Sequence, residues 1–490
     1  MSNKVPKSIE MAGDYDLNHV FLHDHMGGVT DIKKMMAELN VFESIFKNAL
    51  TGSVVITDAQ NLIAKLEING TERVSFQLST PGAAEEKRGM IDASVETGQP
   101  FYVYKITDRR QIAPGTLLYT LHFASREFIR NLRTKVSQTY RGNIAYQVIK
   151  ILMDENYLDS QKEISYEPTG NINDVVIPNM RPFDAINMIA KRALPEKSGG
   201  VGYYFYETTK GIYFRSWDNM VSIKGNQIRD TKQIFRYMPM NIDDSTIKNK
   251  IEHDYQSVES YRFVNNFHDI AANTVMGTYA HTALTYNLYD KSYKTDVFRY
   301  DHQFGSTKHT DMQPDRFSKE KFAVAAKSRV DTDDKTISEY PESRVSLQPT
   351  TQYLHGDSDA GAGYGLDVRQ EGPKYVQGIS QRAQIENGTT LHMVVKGQSY
   401  LEPGDLIEFK LISVDEKNPD GEEDPQYSGR YVISKIRHQV NSVKYTCAIE
   451  CVKDSTKQGF STGYEKVEKN ANVPGIRNIY TAEEPGEYDY

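Results

Sequence analysis

Long apolar runs are missing from this 490-residue chain. None approaches the roughly 20 residues that a membrane-spanning helix needs, so no helical membrane insertion is expected. The opening residues, Met1-Ser-Asn-Lys-Val-Pro-Lys-Ser8, are polar and predict no secretion leader, hence synthesis in a cytoplasm. Cysteine is nearly missing too, with only Cys447 and Cys451. In Tyr445-Thr-Cys-Ala-Ile-Glu-Cys451 both thiols fall on one face of an alternating strand, with α-carbons roughly 13 Å apart. A disulfide needs less than about 7 Å, so they read as small buried hydrophobes of a reducing compartment. Zinc would need third and fourth ligands at suitable spacing, and the sequence offers none. A basic excess is also lacking: 58 Lys and Arg face 66 Asp and Glu, giving a net charge of −8 and a pI near 5.9. That argues against a dedicated nucleic-acid binder. Tryptophan occurs once, against 19 Phe and 32 Tyr. Tyrosine joins apolar area to a polar tip, which suits half-exposed strands and subunit interfaces alike.

What the chain has in quantity is strand. Arg73-Val-Ser-Phe-Gln-Leu-Ser79 alternates strictly, with Val74, Phe76 and Leu78 on one face, the period-two signature of a half-buried strand. A strand ends at Thr57-Asp58, and Phe101–Thr107 and Thr116–Ala124 continue in the same style. Four or more strands between Val41 and Glu127 with one wet face and no intervening helix imply a closed barrel or a sandwich.

Elsewhere the period changes. Residues 1–40 read as a polar lead with a short helix over Asp31–Leu39. Helical spacing follows in Phe128–Tyr140 and Asn143–Leu158, and Pro182 sits well as the first residue of a helix over Phe183–Ala193. Gly202–Trp217 reads as a hairpin turning at Thr208–Gly211. Strand pattern returns from Ile247 to Arg299, where Thr274–Tyr289 reads as one hairpin arm. Residues 301–378 are polar, with a short helix over Lys319–Ala326 and a turn-rich run, Gly356–Gly365. Val376–Glu386 reads as a helix. Thr389–Val395, Leu406–Ile412, Tyr427–His438 and Val443–Val452 read as strands, with a tight turn at Leu401-Glu-Pro-Gly-Asp405. The end, Ser455–Tyr490, is polar and finishes acidic.

Two stretches carry a family resemblance. The pattern Glu43, Leu50-Thr51-Gly52, Asp58 and Gly70-Thr71-Glu72 resembles the first tube-like domain of baseplate central hub proteins from contractile-tailed bacteriophages. Gly404-Asp405, Gly429-Arg430-Tyr431, Ile433, His438 and Lys453-Asp454 resemble the end of their second tube-like domain. The matched parts cover about half the chain.

The resemblance implies a mixed, β-dominated α+β fold with two tail-tube-like antiparallel β-barrel domains, an inserted small helical and hairpin domain, and a long polar insertion. The expected division is 1–40 N-terminal segment; 41–127 first barrel; 128–245 inserted α/β domain; 246–300 with 376–455 second barrel; 301–375 insertion; 456–490 extended tail. It also implies a virion structural protein of the tail baseplate, assembled in the host bacterial cytoplasm. A homotrimeric ring would adapt the six-fold tail tube to the three-fold central spike. Implied partners are the tail tube protein, central spike protein, baseplate wedge proteins and tape measure protein, with DNA passing through the lumen.

Chemistry is weakly signalled. Neither a phosphate-cradling Walker loop nor His-Glu-x-x-His is present. His23-Asp-His25 has the spacing of two metal ligands but no partner carboxylate or Cys, and a solvated segment is the better reading. Glu422-Glu423 and Asp243-Asp244 sit in polar loops, unlike glycosidase carboxylates in an aromatic setting. Gly361–Gly365 has neither strand before it nor helix after it. His438 follows a strand without an acid–base partner and reads as structural. The expected protein is no enzyme and holds no catalytic residue, cofactor or metal. Two other classes compete with the hub: a tail-associated cell-wall hydrolase, which only 301–378 could house, and a peripheral receptor- or carbohydrate-binding β protein. Fewer than 80 polar residues make a poor hydrolase core, and no aromatic sugar platform is evident.

Overall fold

The computed structural model is a β-dominated α+β fold. It describes residues 11–81, 89–170, 174–196, 200–222, 229–237, 250–265, 270–287, 293–303, 307–311, 337–350, 388–413 and 426–457, with isolated positions 291, 377–378, 382, 385–386 and 423–424. Asp243-Asp244, Glu422, the runs 319–326 and 356–365, and the tail beyond Lys457 lie outside the described residues.

The first eight strands are β1 (Asp16–His23), β2 (Val29–Asp31), β3 (Met36–Ser44), β4 (Thr51–Asp58), β5 (Arg73–Ser79), β6 (Met90–Asp92), β7 (Phe101–Ala113) and β8 (Thr116–Ala124); contrary to expectation a one-turn helix, α1 (Leu62–Lys65), intervenes before β5 and buries Leu62. Val74, Phe76 and Leu78 of β5 are fully buried, as their alternation requires. Phe101 lies between Phe76 and Phe123, at ring distances of 5.7 and 4.9 Å. The residues of the resemblance do local work here. Asp58 receives the backbone N–H groups of Gln60 (2.7 Å) and Leu62 (2.6 Å) and so fixes the turn into α1. Glu72, wholly buried, receives those of Asn69 (2.7 Å) and Gly70 (2.8 Å). Gly52 faces Phe123 across β4 and β8, where a Cβ would collide with the Phe123 ring and the Asn40 carbonyl.

Residues 16–40 are not a polar lead, and Asp31–Leu39 is not a helix. β1 pairs with β5, and β3 runs from Met36, pairing with β4. The helix-forming composition of Lys33-Lys-Met-Met-Ala-Glu-Leu39 yields to strand pairing that buries Met36, Leu39 and Val41.

A helical unit follows: α2 (Arg126–Arg133), β9 (Val136–Tyr140), α3 (Ile144–Met153), β10 (Ile164–Tyr166), β11 (Val175–Met180), α4 (Pro182–Ala190), β12 (Tyr203–Thr208), β13 (Gly211–Ser216) and α5 (Trp217–Val221). The helix expected over Phe128–Tyr140 stops at Arg133, because Val136 and Tyr140 are the buried ends of a strand paired with β11. Asn143 caps α3 by accepting from Ala145 N at 3.0 Å, and Pro182 opens α4. β12 and β13 form the expected hairpin, with Thr208 opposite Gly211. The unit has its own core around Ile144, Ile151, Ile177, Ile186 and Phe214.

The remainder comprises β14 (Ile234–Tyr237), α6 (Lys250–Gln256), β15 (Val258–Asn265), α7 (Ile270–Val275), β16 (Ala280–Asn287), β17 (Tyr293–Arg299), α8 (Tyr300–Gln303), β18 (Val345–Thr350), β19 (Thr389–Lys396), β20 (Leu406–Leu411), β21 (Gly429–Asn441) and β22 (Tyr445–Lys453). Among the described residues of the 246–300 stretch, only β15 joins the large sheet. β16 and β17 pair with β18, from inside the expected insertion, as a separate three-stranded sheet. Thr274–Tyr289 is therefore not one hairpin arm: α7 occupies its start. The described positions 377–378, 382 and 385–386 are helical, as Val376–Glu386 predicts.

The large sheet has 14 strands, with the continuous path β15-β19-β22-β21-β3-β4-β8-β7-β5-β1-β2. It contains one arrangement twice. In the first half β3, β4, β8, β7 and β5 are neighbours in that order; in the second, β15, β19, β22, β21 and β20 are. Chain order matches strand for strand, and an Arg236–Ser257 bridge links β14 back toward β15. One apolar cluster runs through both halves.

Candidate functional site: the joint between the halves and its exposed face

β21 is 13 residues long and serves two neighbours. Its first part, Gly429–Val432, pairs with β20 and belongs to the second half. Its last part, Lys435–Asn441, pairs antiparallel with Ser44–Glu38 of β3 and joins the two halves. Side chains alternate across this joint.

The inward face is dense and polar in places. His438, fully buried, has Nδ1 2.6 Å from the Tyr445 hydroxyl and Nε2 3.8 Å from Glu43 Oε1. Burial, with help from Lys210, pushes the imidazole down to about 3, so it is neutral at physiological pH. Burial lifts the Glu43 carboxyl to about 7 against the hydrogen bond from Thr209. Cys447 lies 3.5 Å from His438 Nδ1, its thiol pushed up to about 12 by burial, and both cysteines are free. The sequence reading of His438 missed Glu43, which is distant in sequence but adjacent across the joint. Glu43 borders the groove described below only through its backbone side, since both side chains of the pair are fully buried, and the pair's chemistry is that of a packed core.

The other residues of the second pattern are also anchors. Glu402, in the turn before β20, accepts from Tyr213 OH (2.8 Å) and Thr208 Oγ1 (3.0 Å), while Asp405 accepts from Glu402 N (3.1 Å). Burial, then the neighbouring Glu402, raises Asp405 to about 7. Gly404 has φ +89°, and a side chain there would strike Arg215 and the Tyr206 hydroxyl. Lys453, buried, donates to the carbonyls of Gln426 (2.7 Å) and Ser428 (3.1 Å); burial drops it to about 8. Asp454 lies 2.8 Å from His309 Nδ1 and accepts from Thr310 N and Trp217 Nε1 at 3.1 and 3.2 Å. Burial works to raise its pKa, but His309 and Thr310 hold it below the usual carboxylate range. Thr307–Asp311 is thus built into the body rather than into a polar insertion.

The outward face is a broad charged wall. Lys435 meets Glu450 at 2.9 Å, His392 meets the same carboxylate at 3.1 Å, Arg437 meets Glu38 at 2.9 Å, and Lys396 meets Glu259 at 2.6 Å. Across β3, β21, β22, β19 and β15 the wall sinks into a groove of about 810 Å³, also lined by Lys47, Arg262 and Phe42. Sequence alternation marks Lys435 and Arg437 as outward on β21, but nothing in it places them beside Arg262.

Candidate chemistry is sparse among the described residues. They contain no group of three or more His, Cys, Asp and Glu positioned for a metal. His23 hydrogen bonds Ser75 at 2.8 Å. Gly459-Phe-Ser-Thr-Gly463 has Gly-x-Ser-x-Gly spacing, which the sequence reading missed, but it lies outside the described residues. No helix among the described residues is long and apolar enough to cross a membrane.

No protein-family model and no curated protein sequence matches the chain. Among solved structures it is similar to the tail protein from Neisseria meningitidis MC58, at 8% identity and TM-score 0.48, over 90% of this chain and 97% of that one. It is similar to the 43 kDa tail protein of prophage MuSo2 from Shewanella oneidensis, at 8% identity and TM-score 0.47, over 90% and 100%. A third is the E. coli c3393 protein, a type VI secretion system component described as structurally similar to T4 bacteriophage tail proteins gp27 and gp5, at 9% identity and TM-score 0.39, over 87% and 76%.

Proposed function

We propose that the chain is a structural baseplate hub of a contractile tail, three copies of which close head to tail into a ring around a channel. The observation that carries this reading is the repeated strand arrangement with one joint made and its equivalent open among the described residues. In the second half, the outer part of β21 pairs with the first strand of the other half, β3. The matching strand of the first half is β7. Its Phe101 and Tyr102 pair with β5, whereas from Lys105 to Ala113 its only described partner is β8. The strand matching β3 is β15, whose only described strand partner is β19. An open edge at each end of an eight-stranded path is a pairing template. Joining β7 of one copy to β15 of the next repeats the internal joint between chains, and a heterologous contact of that kind closes into a three-membered ring when each joint turns the next copy by a third of a full turn.

Three copies with two barrels each present six similar units to a six-fold tail tube and three-fold symmetry to a central spike. The paired charges of the wall suit a lumen past which DNA slides, and wedge and tape measure proteins remain proposed partners. The division of the chain remains a proposal, redrawn so that the first barrel starts at β1 and β16, β17 and β18 form a sheet apart from the second barrel. The test is the native mass of the full chain, alone and with a candidate spike. A species near three times 55.8 kDa supports the ring. A strict monomer in the presence of spike and tube, or one that cleaves peptidoglycan or binds isolated glycan, overturns it.

A further inference from the structure

We propose that the groove across β3, β21, β22, β19 and β15 is covered, in the free chain, by the chain's own acidic C-terminal segment, Glu483–Tyr490. The groove is cationic in a protein of net charge −8. Its lining includes Lys47, Arg262, Lys435 and Arg437 against one outward carboxylate, Glu450. Glu43 also belongs to the lining, but its side chain is turned into the core with no exposure. Glu450 is held by Lys435 and His392, and Arg437 is matched by Glu38 just outside the groove. Lys47 and Arg262 add two further cations, both exposed.

The apolar part of the lining is Phe42, which is 37% exposed, with Val394 and Ala448. Arg437 lies over the Phe42 ring, 5.8 Å from its centre. A ligand that fits combines carboxylates with rings that can lie on this floor.

Residues 483–490, Glu-Glu-Pro-Gly-Glu-Tyr-Asp-Tyr, supply four acids, two tyrosines and no base. They also start close by. The described chain stops at Lys457, which bridges Glu408 and Glu423 at 3.2 and 3.0 Å. Glu450, in the groove, is seven residues earlier, so at most ~25 Å separates the two. From Lys457 to Glu483 run 26 residues, whose end-to-end distance as a coil is about 28 Å. The segment reaches the groove without being stretched. Binding within one chain needs only weak contacts, since the effective concentration of a tethered segment is on the order of millimolar. The inference does not depend on ring formation.

The test replaces Tyr488 with p-benzoylphenylalanine in the full chain, irradiates it at a concentration where it is monomeric, and maps cross-linked peptides by mass spectrometry. The expected cross-links join residue 488 to peptides containing Phe42–Lys47, Arg262 or Lys435–Arg437. Exposed ion pairs contribute about 0.2–1 kcal/mol each, so Lys435→Glu with Arg437→Glu should lower the yield about fivefold. Adding Glu483→Lys and Glu484→Lys to that variant should restore it. Should the groove variant fold poorly, Glu483→Lys with Glu484→Lys alone must still lower the yield. Cross-links scattered over the surface, a yield indifferent to charge reversal, or cross-links between isotopically mixed copies would each overturn the proposal. Failure of the ring would leave this readout unchanged, so the two readings fall separately.

Discussion

The outer part of β21 and the outer part of β7 hold equivalent places in two copies of one strand arrangement, yet among the described residues only the first has a partner on both sides. At β21, inward residues are fully enclosed: Ile436 is 2% exposed and Val440 0%. At β7, the residues from Asp108 to Ala113 are exposed, and Ile112 is 50% exposed. The difference lies in the neighbour and not in the strand. A neighbour from the same chain converts an edge into core, and β7 has the place for such a neighbour without having one among the described residues.

The largest expected effect comes from placing a charge on the enclosed outer part of β21 and on the exposed outer part of β7. Ile436→Asp buries an unpaired carboxylate and should cost about 4 kcal/mol in urea unfolding of the monomer. Ile112→Asp should change monomer stability by no more than about 0.5 kcal/mol while abolishing the ring. Equal effects on monomer stability would show that β7 is already enclosed. Next comes Gly52→Ala beside Phe123, expected to cost about 2–3 kcal/mol through overpacking, read as a lowered Tm.

A pH-dependent effect sharpens the comparison from beneath the joint. Burial raises Glu43 above its ordinary value to about 7, so the folded state holds a proton that the unfolded state releases. Stability therefore falls as pH rises from about 4.5 to 7, and Glu43→Gln removes that share of the fall, up to about 3 kcal/mol for the full shift. Glu207 and Asp405, also lifted to about 7 by burial, keep part of the slope in the variant. Urea titrations at pH 5 and pH 8 measure it; an identical slope in wild type and variant would remove Glu43 from the account.

Strands with unbroken alternation were legible in the sequence, as β5 and β8 illustrate, and so was the hairpin at Thr208–Gly211. β1 was not, because a register shift between Leu17 and Val20 breaks its period. β3 was misread over its first residues because helix-forming composition carries no information about the pairing that overrides it. The parallel pairing of β18 with β16 lies in a stretch that composition marks only as polar. The acids Asp58 and Glu72 were recognisable as motif positions, and their role as turn anchors needed coordinates. The joint itself was illegible: β3 and β21 are separated by nearly the whole chain, and no local signal says which edges meet.

Amide hydrogen exchange on the free chain and on the assembled particle tests the central claim most directly. Amides of Lys435–Asn441 should be protected in both. Outward-facing amides of Lys105–Ala113 and Val258–Asn265 should exchange quickly in the free chain and become protected together on assembly. If those two strands stay fast in a fully assembled particle, the copies are not joined through β7 and β15, and the account is wrong.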